Sequence, residues 1–145
     1  YKKLPKGADL HKLLTIASMI ELEVAKDFER PLVAKVIENR LKSGMRLQLD
    51  ATVLYALQEW KNLGPGVVNT VESPYNTYLN DGLPPGPIGS PREASVMAAL
   101  NPGNTDALFY VAMPDQTHLF ARAYGVHLQN INKARRAAAQ QRVAQ

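Results

Sequence analysis

The chain has 145 residues, long enough for one domain with a substantial core and too short to expect two. Apolar residues make up 46% and charged residues 21%, the balance of an ordinary globular protein, and the absence of cysteine excludes both a disulfide framework and a thiolate metal site. The net charge of +4 is concentrated at the two ends, in Lys2, Lys3, Lys6 and Lys12 and again in Arg122, Lys133, Arg135, Arg136 and Arg142, with no acid after Asp115. A basic face can attract nucleic acid, anionic lipid or an anionic polymer. No aromatic side chain interleaves with the tail's basic residues, so the tail reads as a solvated helix and nucleic acid is not expected as a partner. No run in these 145 residues approaches the roughly 20 apolar residues of a membrane span, and none reads as a signal peptide; an anchor or targeting segment upstream of them is compatible with the sequence.

In chain order, Asp9 is placed to cap a first helix over 10–26, with Leu10, Leu13, Leu14, Ala17, Ile20 and Val24 forming a stripe at helical spacing. A second helix over 29–43 has Pro31 in its first turn and Gly44 as its stop. "MRLQLD" (45–50) alternates as a short strand would, and Asp50 then caps a third helix running to Trp60. Residues 61–90 are dense in Gly, Pro, Asn, Ser and Thr, and ordered loops of that length are more often functional than decorative. "SPRE" follows as a helix start, with Ser90 as cap, Pro91 at the first position and Glu93 closing a capping box, for a helix ending at Leu100. "ALFYVAM" and "HLFARAY" read as two strands joined by the turn "PDQT", and a last helix spans 126–143. The pattern is one α+β domain: several helices, a small antiparallel hairpin and a long loop.

The first helix contains an anomaly. At about 100° per residue, with Leu10 at zero, Glu21 falls near 20°, inside the apolar stripe, and Glu23 near 220°, on the opposite side. Glu23 therefore reads as solvated or structural. Glu21 has two readings. A carboxylate among aliphatic side chains has its pKa raised, which suits a general acid protonating a glycosidic oxygen; alternatively it is a buried glutamate paired with an arginine, Arg40 or Arg46. Sugars are gripped by amides, hydroxyls, carboxylates and aromatic faces. The long loop offers Glu72, Tyr75, Asn76, Thr77 and Tyr78, and "MRLQLDATVLY" adds Gln48, Asp50 and Thr52. Each also has a local explanation as a cap or turn residue. His118 and His127 are of a type that serves as catalytic residue or metal ligand, but they lack metal-site spacing, and there is neither a Gly-x-Ser-x-Gly elbow nor a phosphate-binding glycine loop, so no metal or cofactor is expected.

Four segments, "LTIASMIELEVAKDFERPLVAKVIENRL", "GMRLQLDATVLYAL", "SPYNTYLNDGLPPGPIGSP" and "HLFARAYGVHLQNI", span nearly all of residues 13–131. Together they resemble the endolytic murein transglycosylase family (MltG, YceG-like). The chain departs from the family pattern at Ala51, where a proline is expected after the aspartate. The resemblance implies cleavage of the β-1,4 bond between N-acetylmuramic acid and N-acetylglucosamine within peptidoglycan glycan strands. No water is added, and a 1,6-anhydromuramyl end results. It places the family's catalytic glutamate, the first of "S-φ-φ-E-x-E" (φ apolar), on Glu21, acting as acid and then base, with no cofactor. Gln48, Asp50, Tyr75, Asn76, Thr77 and Tyr78 are expected to line the groove, with Asp50 or Glu72 as a possible stabiliser of charge at C1. The resemblance further implies a catalytic fragment (1–145) of a protein held at the outer face of the cytoplasmic membrane by an N-terminal anchor. A LysM-like subdomain would precede this part, and peptidoglycan synthases are implied as partners. A lysozyme-like hydrolase using a second carboxylate and a non-catalytic glycan-binding module are the competing readings.

Overall fold

Asp9 caps the first helix through its side chain, which accepts from the Lys12 backbone N–H at 3.1 Å. This computed structural model describes residues 9–64 and 66–144. Helix α1 (Leu10–Glu23) leads through a 3-10 turn (Asp27–Glu29) into α2 (Arg30–Lys42), then α3 (Asp50–Leu57). The long loop carries a second 3-10 turn (Val67–Asn69) before α4 (Glu93–Leu100), strands β1 (Phe109–Ala112) and β2 (His118–Ala121), and α5 (Tyr124–Ala144). The fold is α+β, as the sequence pattern requires.

Several boundaries differ from expectation for local reasons. Helix α1 stops at Glu23 because Val24 turns extended (φ −120°, ψ 123°). "MRLQLD" is not a strand among the described residues. Leu47 and Leu49 are buried as its alternation demands, but Gln48 takes a left-handed φ of 53°. The segment's polar groups are satisfied by other means. Leu49 N–H donates to the Thr77 hydroxyl at 2.9 Å, and the Arg40 guanidinium donates to the carbonyl of Arg46 at 2.8 Å. Asp50 is the first residue of α3 rather than its cap, and α3 closes at Leu57 with Gln58 left-handed. Nor does Ser90 cap α4. Arg92 holds that position with no side-chain cap bond of its own, and a carboxylate from α1 serves the helix start instead.

The core gathers Met19, Ile20 and Val24 of the α1 region, Val33, Ala34 and Ile37 of α2, Leu47, Leu49 and Ala51, Ile88 of the long loop and Ala98 of α4. Helix α1 is packed by α2, α3 and α4 together, so four consecutive residues, Ala17 to Ile20, are all buried. A helix enclosed on several sides has no single buried stripe. The hairpin pairs antiparallel, with Tyr110 opposite Phe120 and Ala112 opposite His118. Tyr110 and Phe120 pack against the core. On its other side Phe109 meets Tyr124 and His127 of α5, with ring centroids 5.5 and 4.9 Å away.

Candidate active site

The last turn of α1 sends its two glutamates into different surroundings. The Glu21 side chain is 14% exposed and ion-paired, its Oε2 lying 3.0 Å from Nη1 of the buried Arg30. Oε1 accepts from Arg92 Nε at 2.6 Å and from the Arg92 backbone N–H at 3.3 Å, while Oε2 accepts from the Ser95 hydroxyl at 2.7 Å. Burial alone would raise this carboxyl, but the hydrogen bonds from Arg92 and Ser95 and the charge of Arg30 outweigh it and hold Glu21 below the ordinary carboxylate range. The expectation of a protonated Glu21 is therefore corrected. Of the two readings, the arginine-paired one is met, with Arg30 and Arg92 in place of Arg40 and Arg46.

Glu23 is the reverse case. Its Oε2 accepts from the Tyr110 hydroxyl at 3.0 Å and its Oε1 from the Ala51 backbone N–H at 3.4 Å. Burial is the dominant influence and raises its pKa. The bonds from Tyr110 and Ala51 oppose that rise, the nearby Asp50 carboxylate adds to it, and His118 works against it. A carboxyl raised by burial thus exists in this protein, two residues from where the helical wheel placed it. The reading of Glu23 as solvated is corrected, because the hairpin and the start of α3 cover the face of α1 that faces away from the stripe.

Glu23 opens on a cleft of about 290 Å³ whose walls include Arg40, Gln48, Leu49, Asp50, Tyr78, Tyr110 and His118. A second cleft of about 370 Å³, lined by Glu21, Ala25, Met113 and Gln116 among others, shares Glu23, Ala112 and His118 with the first. The two clefts adjoin at Glu23, Ala112 and His118, and the first mixes polar side chains with apolar ones (Val36, Ile37, Leu47). That combination suits a sugar, which presents hydroxyls at its rim and C–H faces between them.

The candidate groove residues divide. Gln48, Asp50 and Tyr78 line the first cleft, where the Tyr78 hydroxyl donates to Asp50 Oδ1. Burial and the Asp50 carboxylate push the Tyr78 phenol far above its ordinary range, so it remains a donor. Thr52, Asn76 and Thr77 are buried and build the loop rather than the groove. The Thr52 and Thr77 hydroxyls bond each other at 2.8 Å. The Asn76 amide donates to the carbonyls of Val68 and Val71, both at 2.7 Å. Tyr75 packs on Tyr55 with centroids 4.8 Å apart, and Glu72 is exposed, lining neither cleft. Of these expected groove residues, Thr52, Asn76 and Thr77 thus serve the scaffold, while Tyr75 and Glu72 line neither of the two clefts.

Sequence reasoning missed Glu23 and Tyr110 as site residues, and raised His118 only as one of two histidines without an assigned role. Glu23 carried the right signal, a carboxylate in an apolar helix, but on the face that the hairpin and the start of α3 cover. His118 is held by Glu29, whose two oxygens accept from its backbone N–H at 2.9 Å and from Nδ1 at 3.0 Å. His127 lies instead on α5, stacked on Phe109. Among the described residues no three His, Asp or Glu side chains converge as metal ligands would.

A small α+β domain with a partly buried acid shared by two adjoining clefts is the class of protein these features define. The chain belongs to the YceG-like family, whose model matches residues 2–133. It is 43% identical over 126 residues to the endolytic murein transglycosylase of Bacillus subtilis, across 87% of this chain and 34% of that protein. With the endolytic murein transglycosylase of Streptococcus pneumoniae (strain D39) it shares 40% identity over 112 residues, 74% of this chain and 20% of the relative. A crystal structure of a yceG-like protein from Listeria monocytogenes superposes with a TM-score of 0.78 at 43% identity, covering 83% of this chain and 39% of that one. The chain spans about a third or less of the length of the curated relatives it matches.

Proposed function

We propose that this domain cleaves the β-1,4 bond between N-acetylmuramic acid and N-acetylglucosamine inside peptidoglycan glycan strands, releasing a 1,6-anhydromuramyl end, with Glu23 rather than Glu21 as the acid. The observation that carries this reading is the contrast between the two carboxyls. One is raised and opens on the groove junction; the other is lowered and tied to Arg30 and Arg92. General-acid catalysis needs a proton near operating pH, and a carboxyl held low does not carry one. Glu23 gives its proton to the glycosidic oxygen, Tyr110 and the Ala51 N–H steady the carboxylate left behind, and the muramyl C6 oxygen closes on C1. In the simplest route the same carboxylate takes the C6 hydroxyl proton, so no second carboxylate at a fixed separation is needed.

A second reading, hydrolysis with Asp50 as the partner carboxylate, has one observation in its favour: Asp50 lines the same cleft. Mass spectrometry of ends released from purified peptidoglycan separates the two, since hydrolysis adds a water of about 18 Da per cut. Anhydromuramyl ends that vanish in Glu23→Gln and persist in Glu21→Gln are expected. Reducing ends, or ends unaffected by Glu23→Gln, would overturn the assignment. This substrate lies outside the cytoplasm, which supports the proposal that the domain works at the outer face of the cytoplasmic membrane, beside peptidoglycan synthases. Among the described residues no helix is long and apolar enough to cross a membrane.

A further inference from the structure

The lytic reaction moves two protons: one onto the leaving oxygen and one off the attacking C6 hydroxyl. We propose that these are handled by two residues, and that His118, oriented by Glu29, receives the hydroxyl proton at Nε2 while Glu23 supplies the other; this rests on the lytic reading above.

Three observations carry the assignment. First, Glu29 grips His118 twice, through the backbone N–H at 2.9 Å and through Nδ1 at 3.0 Å, with the two side chains only 4% and 5% exposed. A carboxylate only accepts hydrogen bonds, so Nδ1 carries the hydrogen of this contact and Nε2 is the ring nitrogen left for the substrate. Second, Nε2 has no partner among the described residues. The described residues contain one fully buried, unpartnered side-chain nitrogen or oxygen, Nδ1 of His127, so Nε2 of His118, which has no partner either, reaches open space. Third, that space is the groove, because His118 and Glu23 both line the two clefts at their junction. Tyr110, edge-on at 5.3 Å, and Phe120 at 6.3 Å flank the ring. A carboxylate behind, an imidazole held by it and a free nitrogen on the substrate side form the base-and-orienter arrangement that acyl-transfer enzymes also use.

The proton balance closes. The Glu23 proton goes to the leaving oxygen as its bond to C1 breaks. The C6 oxygen bonds C1 and passes its proton to Nε2, giving an imidazolium beside the Glu29 carboxylate. That proton returns to the Glu23 carboxylate through solvent, and both residues are restored. Glu29 acts only through His118 and is a positioning residue.

The test has two arms. In Glu23→Gln labelled with 15N, a GlcNAc–MurNAc tetrasaccharide is added and the imidazole resonances are followed. A shift at His118 Nε2 with Nδ1 still protonated is expected. Cleft resonances that move while Nε2 does not would overturn the proposal. In the intact wild-type sequence, His118→Asn is expected to lower kcat for anhydromuramyl ends by about a hundredfold or more with KM little changed. Glu29→Gln keeps the ring's partner and should lose less. Melting temperatures confirm that each variant is folded, and where His118→Asn does not fold, the resonance arm and Glu29→Gln decide. Wild-type rates of anhydromuramyl ends in folded His118→Asn would sink this proposal and leave the lytic reading standing. Reducing ends only, or no ends from the wild type, would sink the lytic reading and the proposal with it.

Discussion

Glu21→Gln and Glu23→Gln are the same chemical change two residues apart, and the structure gives them opposite consequences. At Glu21 the change removes the charge facing Arg30, which is 1% exposed and keeps only Asp27, 2.8 Å from its Nε, as a carboxylate partner. Removing one member of a buried pair costs about 3–5 kcal/mol. Here Asp27 remains, and the pair to the exposed Arg92 adds at most about 1 kcal/mol. A loss of about 2 kcal/mol is expected, or roughly 6–8 °C in melting temperature for a domain of this size. The pH dependence follows from the direction of the shift. Folding depresses Glu21, so its contribution is present above the ordinary glutamate range and is lost as pH falls through its lower folded value. The melting gap between wild type and Glu21→Gln should therefore be full at pH 7 and close in acid. Folding raises Glu23, so its contribution is present below the ordinary range and is lost as pH rises through the raised value. Glu23→Gln should thus melt at or above wild type at pH 8, yet be inactive. Calorimetry across pH, with product analysis at pH 7, reads both. A Glu21→Gln protein that melts like wild type but releases no ends would refute the reasoning.

Three further outcomes follow from individual contacts. Ala51 N–H donates to Glu23 at 3.4 Å, a bond that the proline expected of the family at this position would lack. Ala51→Pro should move the Glu23 titration upward, followed by 13C NMR of its carboxyl, and an unchanged titration would mean the contact is not felt. A Cβ on Gly103 would lie 3.2 Å from the backbone carbon of Pro31 and 3.3 Å from Leu32 Cδ2, where the Gly103 N–H also bonds the Pro31 carbonyl at 2.8 Å. Gly103→Ala should cost about 1–3 kcal/mol in urea unfolding, and a neutral result would show that the α2 start yields freely. Thr77→Val strands the Leu49 N–H, at about 1–3 kcal/mol for a buried donor left unpaired, while the Thr52 hydroxyl keeps its bond to the Leu49 carbonyl at 2.7 Å. Since this pairing fixes the segment carrying Gln48 and Asp50, KM should rise, and a stable variant with unchanged KM would separate the loop from the groove.

Helix positions, the hairpin and the family resemblance were legible in the sequence because they rest on short-range signals: apolar spacing, Asp9 as cap, Pro31 in the first turn of α2, and turn residues between two β-rich runs. The importance of "SMIELEVAK" was legible too, since an acid in an apolar helix calls for a partner. Which acid answers to which partner was not. A helical wheel assumes one buried face, whereas α1 is packed by three helices and its remaining side at Glu23 is closed by Tyr110, 87 residues further along. The arginines that hold Glu21 come from two different elements, and the Glu29 carboxylate that orients His118 lies 89 residues away. Likewise Thr52, Asn76 and Thr77 have the chemistry of sugar ligands, but the chain spends it on its own backbone. Sequence by itself determined which residues are able to carry charge, protons and hydrogen bonds. Tertiary packing decided which of them face solvent, because desolvation and pairing, the two effects that set a carboxyl's proton affinity, depend on neighbours distant in the chain.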